Sequence, residues 1–119
     1  MQRLTALAVL AAFAIAPAAL AKERNIAMTA APVAPKAGQV WTATLKVLID
    51  GEPADGLGLM VRIVSRTGKT VYIASKPTSQ AGIYRARIVF PNAGTWRVIA
   101  LDRYSGRSYE FNRVKVRAA

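Results

Sequence analysis

The chain has 119 residues, and its 17 lysines and arginines against 6 aspartates and glutamates give a formal net charge of +11 at pH 7. It contains no cysteine and no histidine. This composition excludes a disulfide framework, the thiolate and imidazole ligands of most zinc and copper sites, and a Ser-His-Asp triad. The charge favours anionic partners.

The first 21 residues are typical of a secretory signal peptide. Arg3 precedes an apolar run from Leu4 to Ile15, and Ala19-Leu20-Ala21 has the small residues of an A-x-A cleavage site. The apolar run is shorter than the ~20 residues that cross a bilayer, so we expect no membrane helix in the mature chain. Cleavage after Ala21 would leave 98 of the 119 residues, with the charge lowered to +10 by the loss of Arg3. We therefore expect a secreted or periplasmic protein.

Residues 22–37 are rich in alanine and proline. Pro32 and Pro35 cannot donate to a sheet ladder, so this segment does not form a central strand. Two interpretations stay open, a short edge strand around Ile26 to Val33 or an extended N-terminal arm. We expect the folded domain to span residues 38–119.

The stretch QVWTATLKVLID has the longest alternation of apolar and polar residues in the chain. One phase contains Trp41, Ala43, Leu45, Val47 and Ile49. A period of two predicts a half-buried strand, because successive side chains of a strand point to opposite faces. The strand should end at Asp50-Gly51, a pair that favours a tight turn with positive φ.

The same period continues to the C-terminus. Residues 58–75 predict one hairpin around Arg66–Lys69, and residues 82–102 predict a second around Pro91–Gly94. In the last strand, from Arg107 to Arg117, the apolar phase changes, which predicts a bulge near Asn112-Arg113. The absence of a helical period after the signal peptide predicts an all-β fold, a single immunoglobulin-like β-sandwich of about seven strands.

Three motifs resemble the small secreted immunoglobulin-like domains of the YtkA-like group, whose relatives include FixH-type and CopC-like domains. They are Asp50-Gly51-x-Pro53, Gly82-x-Tyr84 and Phe90-Pro91-x-x-Gly94-x-Trp96, within a similarity that covers Lys36 to Val116. The resemblance implies an extracytoplasmic β-sandwich, in some members associated with copper handling or respiratory assembly. CopC-like copper sites use histidines, one of them at the mature N-terminus. This chain has Lys22 there and no histidine, so we do not extend the metal function to it.

No other metal ligands are concentrated in the mature sequence. Met28 and Met60 are its remaining thioethers, fewer than a methionine-rich copper(I) site uses. Asp50, Glu52 and Asp55 lie close together, but their spacing does not match a calcium loop, and turn preferences explain both aspartates. We expect no metal and no cofactor. With no histidine and no opposed carboxylates, we also expect no enzymatic activity.

The strand phases place apolar and basic residues together on the outer face of one sheet. The set consists of Met60, Arg62, Val64, Arg97, Ile99 and Leu101. An exposed apolar centre with an arginine rim is typical of a protein contact, so we predict that these residues form a partner surface. The alternative is that the alanine-rich arm from Ala27 to Ala37 covers them.

Two functions follow from these observations. The first is a non-catalytic extracytoplasmic module that mediates protein interaction or envelope assembly through the partner surface. The second is a cationic module that binds a polyanionic envelope surface, such as anionic lipid or glycan. Lys46, Arg85 and Arg87 lie on one outer face and further basic residues lie on the other, so the charge is spread rather than arranged in the single stripe with exposed aromatics that is typical of nucleic-acid binding.

Overall fold

The computed structural model describes residues 24–30 and 33–119, and the predicted signal peptide lies outside the described residues. The described chain is all-β, with ten strands and no helix. The strands are β1 (Arg24–Ala30), β2 (Val40–Ile49), β3 (Glu52–Pro53), β4 (Leu59–Ser65), β5 (Thr70–Ala74), β6 (Lys76–Pro77), β7 (Ile83–Val89), β8 (Gly94–Asp102), β9 (Ser108–Glu110) and β10 (Val114–Val116). No helix within this part of the chain could span a membrane.

The strands form two antiparallel sheets that pack face to face. The first sheet has the order β1-β2-β7-β6, with β3 also paired to β2, and the second has the order β10-β8-β4-β5, with β9 also paired to β8. These orders match the ABED and GFC sheets of the immunoglobulin fold, with β5 added as an edge strand. The predicted β-sandwich is confirmed. Its strand count is ten rather than about seven, because β3 and β6 are two-residue strands and the last predicted strand is divided into β9 and β10.

The division between β9 and β10 is a bulge. β9 places Glu110 opposite Ile99, whereas β10 places Val114 opposite Trp96. Four steps along the chain from Glu110 to Val114 therefore match three steps along β8, and the extra residue lies at Asn112-Arg113. The bulge predicted there is confirmed. It returns the apolar residues of β10 to the inner face of the second sheet.

The N-terminal segment is an edge strand of the first sheet. β1 pairs with β2 along its whole length, and its alternate residues Ile26 and Met28 pack into the core. Further along, Lys36 forms an isolated parallel bridge with Arg117. The described residues of this segment therefore do not lie over the outer face of the second sheet. For the described residues of Ala27 to Ala37, the alternative in which this segment covers that face is wrong, because β1 is paired in the first sheet and its alternate apolar residues are buried between the sheets.

The inner faces of the two sheets supply one hydrophobic core. The core contains Trp41 of β2, Phe90 of the loop after β7 and Trp96 of β8, with successive ring centroids 5.7 Å apart. Tyr84 of β7 is also fully buried. Each large apolar side chain buried in this way contributes about 1.5–3 kcal/mol, so the core can stabilise a chain that has no cysteine.

The turn after β2 forms as the sequence predicts. Ile49 pairs with Glu52, which leaves Asp50 and Gly51 as a two-residue hairpin loop. Their φ angles are 53° and 82°. Positive φ at both central residues is the requirement of a type I′ turn, which Asp-Gly meets at low conformational cost.

Candidate functional site

The structure brings the six residues of the predicted partner surface together. β4 and β8 are neighbours, and their register pairs Met60 with Leu101, Arg62 with Ile99 and Val64 with Arg97. Since directly paired residues of neighbouring strands point to the same face of a sheet, all six belong to one face. This face is the outer face of the second sheet.

One of the four apolar residues of that surface is buried, and the other three are half-exposed. Ile99 is only 2% exposed, although it lies outside the main core. Glu110 of β9 stands opposite Ile99 and accepts two hydrogen bonds from Arg97, Nε to Oε2 at 2.9 Å and Nη2 to Oε1 at 2.7 Å. The expectation of an exposed residue at Ile99 is therefore wrong. Ile99 lies between Arg62 of β4 and Glu110 of β9, two long side chains on the same face, and strand periodicity does not reveal such neighbours.

Arg97 and Glu110 form a two-bonded ion pair within the molecule. Hydrogen bonds from Arg97 lower the pKa of Glu110, and the same contact raises the pKa of Arg97. The positive charges of Arg113 and Arg62 lower the pKa of Glu110 further. The guanidinium fork of Arg97 is occupied within the molecule and is not free to bind a carboxylate of another molecule in the same way.

A second ion pair, which the sequence analysis did not anticipate, joins the two sheets. Asp102 at the end of β8 is 1% exposed, and its Oδ2 accepts a hydrogen bond of 2.6 Å from Nη1 of Arg24 on β1. Its Oδ1 accepts the backbone N–H groups of Tyr104 and Ser105. The sequence contains one indication of a buried carboxylate: Asp102 continues the inward phase of Trp96 in β8.

The acidic loop after β2 has a structural role. Oδ1 of Asp55 accepts the backbone N–H of Gly82 at 2.8 Å, and the hydroxyl of Tyr84 donates to the carbonyl of Ala54 at 3.0 Å. These bonds tie the loop to the start of β7. Within the described ranges, no group of three or more acidic residues is placed to hold a metal ion.

A long stretch of the chain that contributes strands to both sheets contains no acidic residue. From Gly56 to Leu101 the sequence has no aspartate or glutamate, and this stretch supplies β4 to β7 and most of β8. Its basic residues are Arg62, Arg66, Lys69, Lys76, Arg85, Arg87 and Arg97. Only Arg97 among these seven forms a salt bridge within the described part of the chain. The other six form no salt bridge with any residue that the structure describes.

A groove concentrates three of these charges. It has a volume of about 540 Å³ and is lined by β6, by the turn from Thr78 to Gln80 and by the outward residues of β7. Lys76 stands directly opposite Arg85, and Arg87 follows on the same face of β7. Like charges in directly opposed positions destabilise a sheet. The groove is therefore an electropositive site whose fixed cations favour a bound anion.

The outer face of the first sheet extends this site. Arg85 is paired with Thr44 and Arg87 with Thr42, so threonine hydroxyls and guanidinium groups lie in adjacent rows. Lys46, the next outward residue of β2, adds a further positive charge. These residues form a polar and cationic surface that is continuous with the groove.

No family model matches the sequence, and no curated protein matches it. The resemblance to the YtkA-like group therefore stays a prediction, and the functional argument depends on the geometry of the surface.

Proposed function

We propose that this chain is a non-catalytic, extracytoplasmic module that binds a polyanionic envelope surface, such as anionic lipid or glycan. The observation that carries the proposal is the cluster of Lys76, Arg85 and Arg87 in the groove, with no carboxylate nearby in sequence or across the paired strands. The predicted signal peptide supports the extracytoplasmic location. The burial of Ile99 weakens the competing protein-contact function.

The chemistry of the groove suits phosphate, sulfate or carboxylate groups. Arginine presents a planar fork of donors that matches the oxygens of these anions, and lysine adds a mobile point charge. The groove is open and shallow, because it is lined by short strands and a surface turn. Such a site fits repeated anionic groups on a large surface better than an enclosed small molecule.

Binding to two anionic probes tests the proposal. The purified protein is titrated with dextran sulfate and with vesicles containing phosphatidylglycerol, and the Arg85→Gln/Arg87→Gln variant is compared with Arg107→Gln/Lys115→Gln. Both double variants lose the same formal charge. Arg107 and Lys115 are exposed residues away from the groove.

We expect the groove variant to lose about tenfold more affinity than the control variant, and we expect binding of the parent to weaken steeply with salt. Equal losses of affinity in the two variants would show that binding depends on the total charge of the protein and not on the groove. Failure of the parent to bind either probe at low salt would reject the function.

Protein interaction through the second sheet is the second candidate function. Met60 and Leu101 are a directly paired, half-exposed apolar couple, and Val64 is half-exposed on the same face. A Met60→Thr/Leu101→Thr variant should keep its free energy of unfolding within about 0.5 kcal/mol. It should lose capture of a protein from extracytoplasmic extract if this face is the contact. Unchanged capture would reject the second candidate.

A further inference from the structure

β5 is an edge strand of the second sheet, and half of its backbone groups have no partner strand among the described residues. Ser75 donates its N–H to Leu59 at one end of the β4–β5 ladder, and Ser65 donates its N–H to Lys69 at the other. In an antiparallel ladder the bonded pairs alternate, so Val71 and Ile73 direct their backbone groups to β4. The N–H and C=O groups of Thr70, Tyr72 and Ala74 therefore point away from the sheet.

β5 lacks the features that usually protect an edge. Its sequence, TVYIA, contains no charged residue and no proline, and it is rich in residues that favour strands. The other short edge strands differ, since β6 contains Pro77, β9 contains Glu110 and β10 contains Lys115. An edge of this kind is a template for an added strand.

We propose that β5 is a docking edge for an extended, carboxylate-bearing segment of another polypeptide, which binds as an additional strand. The backbone groups of Thr70, Tyr72 and Ala74 would form the main-chain hydrogen bonds. Tyr72, which is 56% exposed, would lie beside the outward residues of the added strand. Val71 and Ile73, which are partly buried against the core, would be covered by its inward residues.

The positive charges around β5 indicate which kind of segment would bind to this edge. Arg66 and Lys69 precede β5 and Lys76 follows it, and the neighbouring strands carry no acidic residue before Asp102. The Nε atom of Arg62, which is paired with Tyr72, is buried and has no hydrogen-bond partner among the described residues. A segment with carboxylates would meet positive charge at both ends of the edge.

A second copy of the chain would not bring carboxylates to the ends of β5. Antiparallel pairing of β5 with its counterpart around Tyr72 would bring Lys69 of each molecule close to Lys76 of the other. The chain as a whole is also strongly basic. Like charges at the interface oppose such a dimer.

The probe is a capped peptide of alternating glutamate and valine, seven residues long, added to the purified protein. We expect it to bind and to slow amide hydrogen exchange at Thr70, Tyr72 and Ala74, while Val71 and Ile73, whose amides are already bonded, change little. A peptide of alternating lysine and valine should not bind. Exchange protection confined to β7 would overturn the proposal.

Two N-methylated peptides separate strand addition from charge attraction. One carries N-methyl groups on every glutamate and the other on every valine. Since alternate amides of a strand point in opposite directions, only one of the two should lose affinity, by at least about tenfold. Equal losses, or no loss in either peptide, would contradict strand addition.

Protein variants complete the test. Tyr72→Pro removes a backbone donor that β4 does not use, so the fold should persist while peptide binding is lost. Arg85→Gln/Arg87→Gln should keep peptide binding, which separates this edge from the anionic groove. Self-association of the parent that Tyr72→Pro abolishes would identify a second copy as the occupant and overturn the proposal.

Discussion

At the scale of single residues, Asp102 combines burial with ionisation. Burial raises the pKa of its carboxyl, but hydrogen bonds from Ser105 and Tyr104 and the charge of Arg24 outweigh burial, so the pKa lies below its usual value. A carboxylate in this position connects β8 of the second sheet with β1 of the first. It therefore contributes stability only while it is ionised.

We expect Asp102→Asn to lower the free energy of unfolding at pH 7 by about 1–3 kcal/mol, because the amide cannot accept the hydrogen bond from Arg24 in the same way. The folded-state pKa is depressed, so the contribution is complete above the unfolded value of about 3.9 and is lost as the pH falls through the folded value. Parent and variant should therefore converge in acid.

Urea unfolding at pH 7 and below pH 3 measures this difference. Glu110→Gln is the control, since the exposed Arg97–Glu110 pair should contribute less than the buried one. A difference between parent and Asp102→Asn that does not change with pH would contradict the assigned role.

Gly82 is required for a close approach as well as for its backbone angle. Its φ is +76°, and a Cβ atom there would lie 2.8 Å from Cβ of Pro53 and 2.9 Å from the carbonyl oxygen of Val47. Gly106 has a φ of +77° with nothing within 4 Å of the same atom. A comparison of substitutions at the two glycines therefore separates the cost of backbone strain from the cost of steric overlap.

We expect Gly106→Ala to cost about 1–2 kcal/mol, the strain of a left-handed residue. Gly82→Ala should cost at least about 1 kcal/mol more, because the overlap forces β3 away from β7. Thermal unfolding of both variants measures the difference. Equal losses of stability in the two variants would show that the loop after β2 moves to accommodate the added methyl group at little cost.

At the scale of elements, the bulge decides which face β10 presents. Val116 is 5% exposed and Val114 packs against the core, although both follow Phe111 out of phase in the sequence. The extra residue at Asn112-Arg113 corrects that phase. A one-residue change in this loop therefore reverses a whole strand.

Deletion of Asn112 should move the valines of β10 towards solvent and cost about 2–4 kcal/mol, close to the burial energy of one or two such side chains. The substitution Asn112→Ala, which keeps the length of the loop, should cost much less. Chemical denaturation of the two variants provides the comparison. Similar losses would show that β10 can slide without changing its inward residues.

At the scale of the whole molecule, charge imbalance opposes folding. The chain has 17 basic and 6 acidic residues, and two salt bridges are present in the described portion. Repulsion among the unpaired cations destabilises the compact state, and salt screens it. Added sodium chloride should therefore raise the stability of this protein.

We expect the melting temperature to rise between 0.02 and 0.5 M sodium chloride, concentrations chosen so that the screening length changes from well above to below ~10 Å. The variant Arg87→Glu, which lowers the positive charge of the first sheet, should show a smaller rise. Differential scanning calorimetry measures both. A fall in melting temperature with salt would show that attractive ion pairs dominate.

Local sequence patterns correctly predicted the all-β class, the inward phase of β2, the positive-φ turn at Asp50-Gly51 and the bulge at Asn112-Arg113. Each of these depends on local rules. Alternation sets which side chains point inward, and Asp-Gly or a phase change marks a break in a strand. The extracytoplasmic location and the family resemblance also come from the sequence, and they stay predictions.

The neighbours of each surface side chain depend on the tertiary structure. Ile99 points outward as its phase requires, yet Glu110 of β9 lies opposite it and accepts hydrogen bonds from Arg97, and β9 meets β8 only in the folded sheet. The Arg24–Asp102 pair and the Lys76–Arg85 juxtaposition depend on residues far apart or out of phase in the chain. Periodicity gives the direction of a side chain but not its neighbours on the next strand, and those neighbours determine whether an outward residue is covered, paired or free to bind.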